Sequence, residues 1–156
     1  MKKTTAFALA VILCFCLFSG AERAASAAYE KEGERESKHP LDLELERRIN
    51  ADPSTAGMVE AYAQAIADWD KLLNVNYNAL MKNLSREQQD KLRASQREWI
   101  KYRDLEFDFN RDFHADLGGT IQGVNILAFQ CSFVRERALA LGAYLEELTG
   151  ADLFLG

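Results

Sequence analysis

The sequence predicts an all-α fold, an elongated antiparallel bundle of three long helices preceded by one short helix. Three observations predict it. Apolar residues recur at steps of three and four along three long segments, the spacing that gathers them on one face of a helix. No segment shows the strict apolar–polar alternation of a half-buried strand. The breaks between the periodic segments carry the residues that start and stop helices.

The chain has 156 residues, which predicts one domain. Its content, 48% hydrophobic and 28% charged, suits a globular chain and excludes a disordered one. The first residues stand apart. Lys2 and Lys3 precede an uncharged apolar run over residues 6–18, and small residues follow. That is the build of a secretory signal peptide, read here as residues 1–27. Cleavage is expected after Ala27, with Ala21 as the alternative. An uncleaved anchor is the competing reading, but the run is short for a hydrocarbon core about 30 Å thick. Cys14 and Cys16 lie inside the run without the small residues of a lipid-attachment site. A periplasmic or secreted protein follows, with no stable membrane anchor after cleavage.

Residues 1–27 hold Lys2, Lys3 and Arg23 against Glu22, so their removal takes the net charge from −5 to −7. An acidic surface argues against nucleic acid and against anionic lipid as partners. It suits a basic partner, or simply keeps a small protein in solution. Only Cys131 remains in the mature chain, so packing alone must hold the domain.

Residues 28–40 read as a flexible charged leader, and residues 41–150 as the helical domain. The short helix is expected at 41–50, with Leu41, Leu45 and Arg48 or Ile49 on one side. Asp52-Pro53-Ser54-Thr55 starts the first long helix, which runs to about residue 83. Its stripe is Met58, Tyr62, Ile66 with Trp69, Leu73, Tyr77 or Asn76, Leu80 and Leu84. Ser85 and Gln88 form a capping box that opens the second long helix. So short a connection predicts that the two helices are antiparallel neighbours. The second helix runs to about residue 114, with Leu92, Ser95, Trp99, Tyr102, Leu105 or Glu106, Phe109 and Phe113 as its stripe. Gly118-Gly119 is a turn, and Thr120 is expected to cap the third long helix. There Val124, Leu127, Cys131, Val134, Ala138, Leu141 and Leu145 form a heptad-like seam. Ile126, Phe129 or Gln130, Phe133, Ala140 and Tyr144 make a second face, so this helix packs against two neighbours. It is expected to fray from Glu146.

Candidate chemistry is sparse. His39 and His114 sit in no metal-ligand spacing, the paired Glu-x-x-His of di-iron bundles is missing, and there is no haem-attachment motif. No cofactor, metal or catalytic residue is expected. Cys131 reads as a small hydrophobe in the seam, with a reactive thiol as the lesser alternative. The informative residues are polar ones beside the apolar stripes. Gln96, Trp99 and Arg103 share a helix face. Counting outward from Ser85 predicts Asp68 or Asp70 at the height of Tyr102 or Arg103, and Trp69, Trp99 and Tyr102 buried together beside an Asp70–Arg103 pair. Such a cluster more often fixes register than does chemistry.

At these residues a resemblance appears. Asp70-x-x-Leu73-Asn74-x-x-Tyr77-x-x-Leu80, Ser95-Gln96-x-x-Trp99-Ile100-x-Tyr102-Arg103-Asp104 and Arg135-x-Arg137-Ala138-x-x-Leu141 together resemble the lysozyme-inhibitor LprI family, over about residues 41–147. The resemblance marks Asp70, Asn74, Tyr77, Gln96, Trp99, Tyr102, Arg103 and Arg137 as the motif residues. It implies an exported helical protein, with lysozyme or another cell-wall hydrolase as its protein partner. The pattern also departs from the family. Positions that usually carry cysteine there match Arg47 or Arg48, Ala61 and Phe107 here. An inhibitor must reach the hydrolase cleft, and the loops that could do so are residues 116–120 and 83–85. The alternative function is an envelope accessory module that binds another periplasmic protein without inhibiting it. In either case the aromatics around Phe107, Phe109 and Phe113 could form a partner face, although packing under the 41–50 helix is the expected arrangement.

Overall fold

The computed structural model of the chain describes residues 38–154. The segment read as a signal peptide and most of the charged leader lie outside the described residues. Four helices follow in order: α1 (Pro40–Ala51), α2 (Thr55–Asn83), α3 (Arg86–Leu117) and α4 (Gln122–Phe154). No strand occurs among the described residues.

Local chemistry sets the helix starts. The Ser54 hydroxyl caps α2 by accepting from the Gly57 N–H at 3.1 Å, and the Asp52 carboxylate accepts from the Ser54 N–H at 3.0 Å. The Asp52 backbone and side chain fill the space that a Cβ on Gly57 would need, so only glycine fits there. Ser85 opens α3 with a reciprocal box. Its hydroxyl accepts from the Gln88 N–H at 3.4 Å, and its own N–H donates to Gln88 Oε1 at 3.0 Å. The start of α4 differs from expectation. Gly118 and Gly119 both take positive φ, 68° and 88°, and the chain needs two further residues to enter the helix. Thr120 therefore lies in the turn, and the Ile121 carbonyl accepts the first helical N–H groups, from Val124 and Asn125. At its far end α4 passes the expected fraying point and runs to Phe154. Leu145 and Leu148 still pack on the core there, which holds the last turns.

The three long helices have 29, 32 and 33 residues, or about 43–50 Å each at 1.5 Å per residue. They alternate in direction, so α2 and α4 run parallel and α3 runs against both. The main seam joins α2 to α4. Arg135 stands over the Trp69 ring at 5.5 Å, and two turns on the Asn76 amide donates to the Ala138 carbonyl at 3.0 Å. Ala65, Trp69, Leu73 and Leu80 meet Cys131, Val134, Ala138 and Leu141 in one buried cluster. Burying Leu73, Leu80 and Leu141 contributes about 1.5–3 kcal/mol each.

Helix α3 packs along α4, while α2 and α3 barely touch although only two residues join them. The expectation that the Ser85 turn lays them side by side is corrected here. The physical reason is the two-faced apolar surface of α4. One face meets α2, and the other offers Phe129 and Phe133 to α3. No residue of α3 is fully buried, so this helix offers α2 too little apolar surface to compete. Helix α1 packs along the first half of α2 and reaches α4 through its first turn. Arg135 holds Asp42 through two nitrogens at 2.7 and 2.8 Å, Arg48 reaches Asp68 at 3.3 Å, and Leu41 and Leu45 pack on the core.

Candidate interaction surface

The residues singled out by sequence divide into three places. Asp70 and Asn74 lie on the solvent side of α2, where the Asn74 amide donates to the Asp70 carboxylate at 3.0 Å and to its carbonyl at 2.8 Å. Tyr77 is half-buried against the α2–α4 core. Gln96, Trp99, Tyr102, Arg103 and Arg137 gather along the α3–α4 seam. The predicted Asp70–Arg103 pair does not form. Arg103 chelates Asp104 through Nε and Nη2 at 2.9 and 2.7 Å, and Asp68 pairs with Arg48. Trp69 is buried against α4, Trp99 is half-buried, and Tyr102 is 54% exposed, so the three do not share one cluster. Divergence of α2 and α3 accounts for all these corrections, because residues equally far from the Ser85 turn no longer face each other.

An aromatic ladder closes the α3–α4 seam. Trp99 stacks on Phe133 with centroids 6.0 Å apart, Tyr102 tilts against the same ring at 5.5 Å, and Phe107 meets it edge-on at 5.7 Å. Guanidinium groups roof the ladder. Arg103 lies 5.5 Å from the Trp99 ring and Arg137 lies 5.9 Å from it. Arg137 Nε donates to Gln96 Oε1 at 3.0 Å and Nη2 to the Ser95 hydroxyl at 3.3 Å. Burial pushes the Arg137 pKa down from its ordinary value, because no carboxylate lies within ion-pair distance of it among the described residues.

The residues that face α4 step along α3 as Leu92, Gln96, Trp99, Arg103, Phe107, Asn110 and His114, a mixture of threes and fours. Leu105, Phe109, Phe113 and Leu117 instead advance by four each time. At about 100° per residue Leu105 starts on the side of the helix opposite the seam, and each step of four turns the row only about 40° back toward it. These four side chains are 69%, 67%, 52% and 57% exposed, and Ile121, past the turn, is exposed as well. Phe109 and Phe113 lean on each other at 6.2 Å. The expectation that these aromatics pack under the short first helix is corrected. Only Phe107 turns inward, onto Phe129 and Phe133, while α1 sits on α2 instead. The sequence signal for the exposed row was present in its uniform step of four, which no single packing face can follow.

Charge around this row is one-sided. Residues 98–121 hold six carboxylates and three cations. Lys101, Arg103 and Arg111 each bind a carboxylate close by on the same helix, Glu98, Asp104 and Asp108 respectively. Glu106, Asp112 and Asp116 are left as uncompensated negative charge. The arrangement is an apolar stripe with an acidic rim, ending at a glycine turn. Exposed apolar rows of this kind mark contact surfaces.

Among the described residues no group of His, Cys, Asp and Glu could hold a metal ion. Cys131, the free cysteine of the seam, is 3% exposed, and burial pushes its thiol up to about 11. No described helix is long and apolar enough to cross a membrane.

Fold and surface together define a helical scaffold with an exposed apolar row on α3. The model of the family described as lysozyme inhibitor LprI matches residues 48–141, and the chain belongs to that family. Its structure is similar to the crystal structure of an uncharacterised protein from Burkholderia thailandensis, with a TM-score of 0.67 and 24% identity. That match covers 72% of this chain and 57% of the other, so this chain spans a little over half the length of its structural relative. The likeness shows the shared fold. No curated protein matches the sequence.

Proposed function

We propose that the chain is an exported periplasmic protein that binds a basic, lysozyme-type cell-wall hydrolase through the exposed face of α3. The observation that carries this reading is the apolar row Leu105, Phe109, Phe113 and Leu117 inside its acidic rim. Membership of the lysozyme-inhibitor family supports it. Charge complementarity would speed encounter with a basic enzyme, and the aromatic residues would supply the anchors that hold it. The turn at residues 118–119 lies at the end of the row and is the segment best placed to enter a cleft. On this reading the protein acts by occlusion and not by chemistry of its own. The domain so assigned is residues 41–150, preceded by the signal peptide 1–27 and the leader 28–40.

The test is a titration of c-type lysozyme activity with the exported protein at low and moderate salt. Inhibition at one-to-one stoichiometry that survives moderate salt is expected. The double variant Phe109→Asp, Phe113→Asp should lose inhibition by tenfold or more while keeping its helical content. An inactive wild-type protein would reject the hydrolase and favour an accessory role with a different envelope partner. Full inhibition by the double variant would move the contact off α3.

A further inference from the structure

A second feature of the molecule lies at the opposite end of α3 from the exposed row. Helices α2 and α3 leave the Ser85 turn without packing on each other, and α4 passes beside them. The space between the three is a cleft of about 540 Å³. Leu80, Leu84, Leu92 and Leu148 line it, and the residue at its head is Arg137. That volume falls within the range of about 300–1,000 Å³ typical of small-molecule sites.

Arg137 is the polar group that makes the cleft specific. A guanidinium has five N–H donors. Two are engaged, by the neutral acceptors Gln96 and Ser95. The other three have no acceptor among the described residues, and no carboxylate balances the charge. Gln96 and the Trp99 ring fix the orientation of the group. A planar, half-desolvated fork of donors without an anion matches a carboxylate, which accepts two parallel bonds. Lys91 also lines the cleft but is engaged by Glu87 at 2.7 Å, and Glu147 adds a negative charge to the lining. Arg137 can offset one negative charge on a ligand, and the Glu147 carboxylate would repel a second, so a phosphate dianion is disfavoured.

We propose that this cleft binds a straight-chain monocarboxylic acid, with its carboxylate on Arg137 and its hydrocarbon tail along Leu84, Leu92 and Leu148. The site is independent of the α3 surface and of the partner proposed for it. Its ligand class is a fatty acid of medium chain length.

The test titrates the full chain with octanoate, decanoate and dodecanoate below their micelle concentrations, by calorimetry and by tryptophan fluorescence. Trp99 lies beside Arg137 and reports the head of the cleft, whereas Trp69 is buried and gives a constant background. Decanoate should bind, and each added methylene should strengthen binding about fourfold. Decanol should bind at least tenfold more weakly than decanoate. Arg137→Gln should remove that difference. Should this variant lose helical content, Leu148→Glu provides the second reading, since a charge in the tail path should abolish decanoate binding with Arg137 intact. The proposal is overturned if the wild-type chain ignores decanoate, if decanol binds equally well, or if Leu148→Glu binds decanoate undiminished.

Discussion

Cys131 illustrates how far a single residue could be read. Its place in the step of threes and fours along α4 marked it as core, and it is 3% exposed in the α2–α4 cluster. Burial first, and the Asp42 carboxylate second, raise its thiol to about 11. The thiolate is the reactive form, so at pH 8 only about one molecule in a thousand would carry it. Alkylation by iodoacetamide at pH 8 should therefore run at least a hundredfold slower in the native protein than in urea. Equal rates would mean that the seam opens readily. The partners of Arg103 were less legible. Sequence counting paired it with Asp70 on another helix, yet it chelates its neighbour Asp104. A contact across helices depends on the angle at which they leave a turn, and no residue in the turn announces that angle. By contrast Ser54, Ser85 and Gln88 act through bonds to residues three positions away, and so their roles could be read directly.

Among the elements, α3 is the one whose surroundings were least legible. Its existence, its capping box and its end at the glycine turn all followed from local chemistry. Which of its faces would be covered did not, because its stripe of Tyr102, Leu105, Phe109 and Phe113 looks like core until the drift of the row is measured against α4. Two faces of one helix thus have opposite expected responses to mutation. Phe133→Ala removes the ring on which Trp99, Tyr102 and Phe107 converge, and should cost about 2 kcal/mol or more in a urea titration. Phe109→Asp should change stability by less than about 1 kcal/mol, since its ring is 67% exposed. A large loss from the second change would mean that the row is covered in solution. The two-faced character of α4 was legible from its doubled apolar pattern. It foresaw two long helices packed on α4 without saying which they were, and it did not foresee the link from α1 through Asp42 and Arg135.

On the scale of the whole molecule, α1 joins a close-packed pair through polar links as well as through Leu41 and Leu45. Its Asp42 receives two nitrogens of Arg135, and its Arg48 reaches Asp68. Hydrogen bonds to charged groups contribute about 1.5–3 kcal/mol when partly shielded from water. Asp42→Ala should cost about 1–2 kcal/mol once discounted for the exposure of Arg135. Its signature in hydrogen exchange should be regional, with loss of protection across Pro40–Ala51 and none along α2 and α4. Uniform loss would show that α1 is integral to the core. The parallel pairing of α2 with α4 has a further consequence, for the order of assembly. The residues of the main seam lie far apart along the chain, as Asn76 and Ala138 do at 62 positions. When synthesis has delivered α1, α2 and α3, α1 has its seat on α2, but α2 and α3 still lack the faces of α4 that each packs against. The two long seams therefore close only once α4 has emerged, so the bundle's assembly waits on contacts between segments far apart in the chain.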